Sequence, residues 1–568
     1  MPVKFIPSGF LDINTDPALL PAQLDGKNEI SGAMTRCTNL NLDEVGVAKT
    51  RDGSRKLNST AIAQTAAHLI IEMGGNRYLF AGTVIYKNET SLATGMTSAK
   101  WRGIKYNSFN DTTLNIFALN GTNRKRIDSS EVNEWGITAP AAAPTDAVGA
   151  LTGLTGVYKA KYTYVRKVST TVVAESNPSS ASTGETLANQ SLSITCVAPS
   201  DSQATHIRIY RTLTGGAIYY YDQELTLPTV TVDTNTADTA LGSEVEIDHD
   251  RPPLGSIVIG PSYNGYCFII KDNLLYFCKA NRPEYWPATY YVEVSTIQHP
   301  LTAGEFFNGI LYVVSDIEIF MIQGTGVNSF FPFPMSAITG ALSQECILSV
   351  KGKGIFHISN DGIYLFSLSE DKKISEEQFD PIFRGETKGS IPGINQGSIE
   401  NSWLIVFGNK LYFGYPGNES DYPDNILVIN LLTNKTVHYD YSQTFRCVTV
   451  DRANNRLLAV DNSGYIWQIE DTDRSDDYGT AISWQIQSKS FSDRLYKYFP
   501  RSAKYDVELV NGGTCNGYIL LSDEIKQTHS ITSSRNTRKR LITGCTGDSL
   551  SIRLSGTGGI KIREVEVI

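Results

Sequence analysis

Residues Gly265–Lys279 read GYCFIIKDNLLYFCK. Two runs rich in aromatic and branched residues flank Asp272-Asn273, a dipeptide that tolerates the left-handed backbone of a two-residue hairpin turn. The same grammar recurs downstream. Phe306–Gln323 (FFNGILYVVSDIEIFMIQ) turns at Asn308-Gly309, Gly354–Phe366 (GIFHISNDGIYLF) at Asp361-Gly362, and Trp403–Tyr415 (WLIVFGNKLYFGY) at Asn409-Lys410. Arg446–Gln468 turns at Asp451–Asn455 and again at Asn462–Gly464. Starts near 265, 306, 354, 403 and 446 give a period of about 40–50 residues, the length of a propeller blade. Upstream, Arg77–Lys87 (RYLFAGTVIYK) and Leu114–Leu119 read as two further members. A small sheet buries both faces only by stacking on others like it, and radial stacking leaves little open edge. The pattern predicts an all-β chain with a β-propeller of about six to eight blades.

The series is interrupted. Ala139–Pro144 (APAAAP) is a stiff linker, and Arg251-Pro252-Pro253 is a second stop. Between them Tyr158–Val165 alternates, with Tyr158, Ala160, Tyr162 and Tyr164 on one face. Leu192, Ile194 and Cys196 alternate too, as do Ile207, Ile209 and Arg211. Residues 145–250 thus read as an inserted, peripheral β-sandwich of immunoglobulin or fibronectin-III type. From about 480 the alternation changes again, at Ile482-Trp484-Ile486, Tyr505-Val507-Leu509 and Leu550-Ile552-Leu554. The terminal Ile560–Ile568 (IKIREVEVI) places Ile560, Ile562, Glu564, Glu566 and Ile568 on one face and Val565 and Val567 on the other. The expected organisation is an irregular N-terminal arm (1–60), first blades (61–138), the insert (139–253), remaining blades (254–479) and a C-terminal β-domain (480–568). The arm, with little periodicity, is expected to lie across a larger body or a neighbouring subunit. Its deletion is expected to spare the fold of a single copy.

Composition agrees with strands and turns: 47 Gly, 29 Tyr and 22 Phe among 568 residues. Fifty Lys and Arg against 59 Asp and Glu leave a formal charge of −9, which argues against a protein that grips duplex DNA. Tyr78–Tyr86 and Ile426–Leu432 are about half the ~18 apolar residues of a membrane span. The opening Met1–Phe5 lacks the apolar core of a signal peptide, which points to synthesis in a cytoplasm. The eight cysteines (37, 196, 267, 278, 346, 447, 515 and 545) show no CxxC and no zinc spacing and read as buried thiols; Cys267 and Cys278 are placed to face each other across a hairpin.

The chain offers no GxSxG, HExxH or GxxxxGK[ST], and its seven histidines are dispersed. Asp248-His249-Asp250 is the densest charged knot around a histidine; beside two prolines it reads as a solvated linker before a metal site. Asp471–Asp477 (DTDRSDD) lacks the internal glycine and ligand register of a calcium loop and reads as an acidic surface loop. Ser359–Tyr364 and Asp461–Trp467 resemble the Asp-box of sialidase propellers, yet tight hairpins account for them. Arg535–Arg540 (RNTRKR) suits phosphate, a solvated loop or a subunit contact. Lys49, Arg51, Arg55 and Lys56 (KTRDGSRK) suit docking onto an acidic neighbour. No catalytic, cofactor-binding or metal-binding residue is nominated.

Several of these stretches fall in an order that resembles one family. Gly9-Phe10-Leu11-Asp12, Asp16–Pro21, Asn39-Leu40 and Thr50–Ser54 (TRDGS) resemble the opening of bacteriophage tail tubular, nozzle or tail-hub proteins. Trp135-Gly136-Ile137, Glu175–Pro178 (ESNP), Ile209–Thr212 (IYRT) and Arg282–Pro287 (RPEYWP) are similar to later members of the series, with Arg282 where the family has an acid. The resemblance implies a virion protein without catalysis: a ring, six-fold in that family, below the head-to-tail adaptor or portal-side protein. Such a ring extends the DNA channel, lets DNA pass without specific binding and carries fibres, a needle or a plug. It implies no cofactor and no membrane partner. An acidic wall suits a conduit, since a basic one would retain DNA. The alternative reading is a carbohydrate-binding or glycoside-hydrolysing propeller, which would need a concave pocket with facing carboxylates.

Overall fold

In a computed structural model the chain is all-β and of the β-propeller class. The structure describes all residues except 1, 26, 27, 108–111, 369, 377, 493–496, 533–536 and 542–544. Among the described residues seven four-stranded antiparallel meanders repeat, here blades 1 to 7. They span 67–93, 102–134, 257–293, 303–334, 347–373, 403–439 and 445–471, the last borrowing its fourth strand from elsewhere. The hairpin turns follow the sequence signals. Asp272 (φ 55°) joins Phe268–Lys271 to Leu274–Phe277, and Asn308 (φ 51°) with Gly309 (φ 81°) joins Ala303–Phe307 to Ile310–Val314. In blade 6 the turn sits one residue earlier than expected. Phe407 pairs with Lys410, and Gly408 (φ 59°) takes the left-handed position at no steric cost.

The chain forms two compact units. The first comprises 1–70, 314–319 and 335–568; the second comprises 71–313 and 320–334.

In the first unit the N-terminal 60 residues are not an irregular arm. Gly53–Lys56 pairs antiparallel with Ile466–Asp471 and supplies the fourth strand of blade 7. Met34–Thr38 pairs with Ser483–Ser488 and touches blade 6 through Thr38 and His438. Val3–Phe5 and Ala48–Thr50 pair with Gly559–Val567. Val3, Phe5 and Met34 share one apolar core with Ile486, Tyr505, Ile552 and Val565. Short strands with partners more than 400 residues away show no periodicity of their own, because tertiary pairing alone specifies them.

The terminal strand departs from simple alternation. Asp506 faces Glu564 and Val507 faces Ile562, so Arg563 is an extra residue, a β-bulge. A one-residue insertion exchanges the faces of everything beyond it. Ile560 and Ile562 before the bulge, and Val565 and Val567 after it, are therefore all buried, whereas strict alternation puts them on opposite faces.

In the second unit the region between blades 2 and 3 folds as strands in three small sheets. They are 145–148 with 192–195 and 231–234; 154–158 with 185–190; and 171–175, 160–168, 206–212 and 219–226. These strands surround an apolar cluster of their own, including Tyr158, Tyr162, Tyr164, Ile194, Ile207 and Ile209.

Candidate functional site

The second unit carries a cleft of about 290 Å³ where the inserted region meets the loops of blade 3. The strands supply Glu175, Arg208 and Tyr210; the returning linker and the blade supply Glu246, His249 and Tyr285. Glu175 accepts hydrogen bonds from the hydroxyls of Thr163 and Tyr210, both 2.7 Å, and from Arg208 at 2.9 Å. Arg208 also reaches Glu224 at 3.0 Å, and Glu224 takes Lys167 at 2.5 Å. Burial, then Glu175, pushes the Tyr210 phenol above its ordinary range. Burial opposes the charge on Glu246, but the hydrogen bonds of His249 and Lys279 hold its pKa below the usual carboxylate value.

Asp248-His249-Asp250 is not a solvated linker. His249 is 6 % exposed and stacks on Tyr285 with ring centroids 4.1 Å apart. Its Nε2 meets Glu246 at 2.8 Å, and its backbone N–H donates to Asn177. Asn177 in turn donates to Asp250. The ligand atoms of Glu246, Asp248 and His249 lie within 4.8 Å of one another. The Lys279 ammonium already sits on the two carboxylates, 2.6 Å from Asp248 and 3.2 Å from Glu246. A metal ion there would have to displace a built-in cation. Deeper in the junction Arg166 is ion-paired with Glu284, and Trp135 and Trp286 both donate their indole N–H to the Pro283 carbonyl.

In the first unit the two charged stretches flagged separately in the sequence meet each other. Arg51 is buried and uses all five of its N–H groups. Nε donates to Asn39; Nη1 to the Asp52 carbonyl and Asp477; Nη2 to the Asp440 carbonyl and Asp477. Its guanidinium lies 3.7 Å from the Tyr441 ring centroid. Burial opposes its charge, but Tyr441, Asp477 and Glu470 raise its pKa further. Arg55 pairs with Asp471 at 3.1 Å, and Lys56 sits 3.6 Å over Tyr465. The acidic neighbour of KTRDGSRK is thus DTDRSDD of the same chain.

Beside this clamp lies a pocket of about 370 Å³ that sequence reasoning missed, lined by Asp43, Lys410, Tyr412, Asn430 and Glu470 among others. Glu470 is held at φ 54°, and its carboxylate accepts from Tyr412 (3.0 Å) and Tyr441 (2.9 Å). Lys410 bridges Glu470 and Asp43 at 3.5 and 3.2 Å. His357 is likewise a buried partner, of Asp371 at 2.9 Å.

The remaining motifs are structural. Asp461 accepts the backbone N–H groups of Ser463 and Tyr465 and the indole of Trp467, so the Asp-box-like stretch closes its hairpin. Cys267 and Cys278 face each other, the Cys267 N–H pointing at the Cys278 sulfur at 3.1 Å; the cysteines are free thiols, with only Cys545 partly exposed. Of Arg535–Arg540, residues 535 and 536 lie outside the described residues, and Thr537–Arg540 is a strand at the edge of its sheet. Among the described residues no helix is long and apolar enough to cross a membrane.

No family model matches the sequence, and no curated protein does. Among solved structures the chain is similar to Hsv2 of Kluyvelomyces marxianus, at 9 % identity and a TM-score of 0.25, over 62 % of this chain and 96 % of that one. It is also similar to apo AztD of Citrobacter koseri, at 11 % identity and a TM-score of 0.27, over 69 % and 91 %. Likeness at that level carries no argument about function.

Proposed function

We propose that the chain is a structural protein of a bacteriophage tail, a hub or nozzle subunit that assembles with copies of itself into a ring below the head-to-tail adaptor. In this role it extends the DNA channel, offers attachment sites to distal tail proteins and makes or breaks no covalent bond. One observation carries the reading: the residues that bear the sequence resemblance are fasteners. A Cβ on Gly9 would lie 2.5 Å from the Gly32 carbonyl oxygen, and one on Gly53 would lie 2.2 Å from that of Asp476, so each glycine permits a close backbone approach. Arg51 ties the N-terminal segment to Asp477, and Trp135 and Trp286 converge on Pro283. Stiffness rather than an open reactive group is what a ring scaffold requires.

Mass measurement of the purified full chain, with imaging of particles that contain it, tests the proposal. The expected result is a closed ring of about six copies, located at the tail. A chain that stays monomeric at every concentration and is missing from mature particles would overturn it, as would turnover of a glycan by the purified protein.

A further inference from the structure

The pocket beside the Arg51 clamp lies within the first unit, among the turns of blade 6 and the end of the third strand of blade 7. Part of its lining is a buried ionic cluster. Glu470, left-handed at φ 54°, falls where the pairing register slips between Gln468 and Asp471, and its carboxylate is turned onto blade 6. A glutamate in that region is strained backbone. The hydroxyls of Tyr412 and Tyr441 hold it there. Lys410 reaches Glu470 at 3.5 Å and Asp43 at 3.2 Å. An ammonium has three N–H donors, so one of them is left over among the described residues. Burial opposes the Lys410 charge, but Glu470, Asp43 and Asp52 raise its pKa further. The rest of the lining has fewer ties. The Asp52 carboxylate, the Asn409 amide and the Thr472 hydroxyl make no hydrogen bond among the described residues, and Asp52 closes no ion pair. Half-buried Phe407 and the 73 % exposed Leu432 supply an apolar wall.

A concavity of about 370 Å³ that combines an apolar wall with a few unspent polar groups has the make-up of a small-molecule site. Its unspent groups are of both kinds: Asp52 accepts, Lys410 donates, and the Asn409 amide does either. A simple cation uses only the acceptors and is repelled by Lys410. A simple anion uses only the donors and meets Asp43, Asp52 and Glu470. A neutral ring that carries several hydroxyls uses donors and acceptors together, and its C–H face suits Phe407 and Leu432. We propose that this pocket binds a pyranose sugar. Its hydroxyls donate to the Asp52 carboxylate and accept from Lys410 and Asn409, while its ring C–H groups lie against Phe407 and Leu432. Glu470 and Asp43 are positioning residues, which fix the Lys410 ammonium. The inference goes beyond the ring reading and holds whether or not the chain forms a ring.

The test is a saturation-transfer NMR titration of the full chain with the methyl glycosides of glucose, galactose and mannose, in both anomers. Nα-acetyl-lysine amide serves as the cationic comparison and glycerol as the open-chain polyol. At least one glycoside is expected to bind with a Kd below about 10 mM, with its strongest signals on one face of C–H groups, and more tightly than either comparison. Asp52→Ala should weaken that binding at least about tenfold, the worth of a hydrogen bond to a charged group, and Asn409→Ala about threefold. Asp52 and Asn409 hold nothing else through their side chains, so both variants should keep the parent's unfolding midpoint. The glycoside that binds best is then compared with its linear trisaccharide. Equal or tighter binding assigns the site to a glycan chain and weaker binding to a single sugar, and either upholds it. The absence of binding by every glycoside would overturn the proposal. So would tighter binding of the lysine amide, which would reassign the pocket to a cationic side chain, or undiminished glycoside binding by the Asp52→Ala variant.

Discussion

The N-terminal strap of the first unit and the inserted β-region of the second each depend on a fully buried arginine, and the two are served unequally. Arg51 spends every N–H on an acceptor, and its carboxylate partner Asp477 takes both guanidinium nitrogens and the Ser54 hydroxyl. Arg211 reaches Asp238 at 2.8 Å and the carbonyls of Thr212 and Thr236. Its Nε, however, stands 3.5 Å from Asp222, whose side chain is fully buried and accepts no hydrogen bond on either oxygen. A buried charge is tolerated only as far as hydrogen bonds replace lost water. The strap's arginine meets that condition, and the insert's meets it in part. A chain end whose partners lie 400 residues away has to be held by a strong clamp, whereas the insert closes on its own apolar cluster.

The comparison breaks most severely if the strap is removed. Deletion of residues 1–60 takes the fourth strand from blade 7 and three paired segments from the C-terminal sheets, and it bares long ladder edges. The truncated chain should be recovered aggregated, or with the first unit open to limited proteolysis while the second resists. A soluble truncation with intact protease resistance throughout would show that the strap is dispensable to the fold. Next in size is Arg51→Met, which leaves the half-buried Asp477 with only the Ser54 hydroxyl and strands the Asn39, Asp52 and Asp440 acceptors; it should cost about 3 kcal/mol in the unfolding transition of the first unit. Arg51→Lys should recover little of that loss, because one ammonium cannot replace a five-donor fork.

A pH titration sharpens the same contact. His438, in the last strand of blade 6, is wholly buried between Thr38 of the strap and Asn425. Burial, against the pull of Asp440, lowers its pKa from 6.5 to about 4. The unfolded chain therefore binds a proton between those values that the folded chain refuses. The contribution is fully present above pH 6.5 and is lost as pH falls toward 4, by at most about 3 kcal/mol. Denaturation midpoints of the first unit should fall over that window, and His438→Gln should flatten the curve there. An unchanged slope in the variant would assign the loss to other groups.

What the sequence discloses and what it hides divide along physical lines. Blade hairpins are local: Asp272-Asn273 and Asn308-Gly309 announce their own turns, and the alternating residues beside them announce the buried face. The closing strand Gly53–Lys56 is four residues, two of them cations, and nothing local marks it as a strand. The bulge at Arg563 is equally silent, because an inserted residue shows only against a partner strand. Of the sites, each half of the Arg51–Asp477 clamp was legible as a charged run, but their meeting was not. The knot at His249 reads as solvated in the sequence because Tyr285, the ring that buries it, lies 36 positions away.

The smallest expected effect is the most discriminating, since it asks whether Asp222 contributes to the insert's clamp at all. A carboxylate stripped of water, with one cation contact at 3.5 Å and no hydrogen bond, recovers little of its desolvation cost. Asp222→Asn should thus shift the insert's unfolding free energy by less than about 1 kcal/mol in either direction. Arg211→Met, which strands Asp238 and two carbonyls as well as Asp222, should cost about 3 kcal/mol or more. Measured in parallel by denaturant unfolding, the pair separates an arginine held by hydrogen bonds from one held by charge alone. If Asp222→Asn proved as damaging as Arg211→Met, the Coulomb attraction across 3.5 Å would be the true fastener, and the contrast with Arg51 would fail at its root.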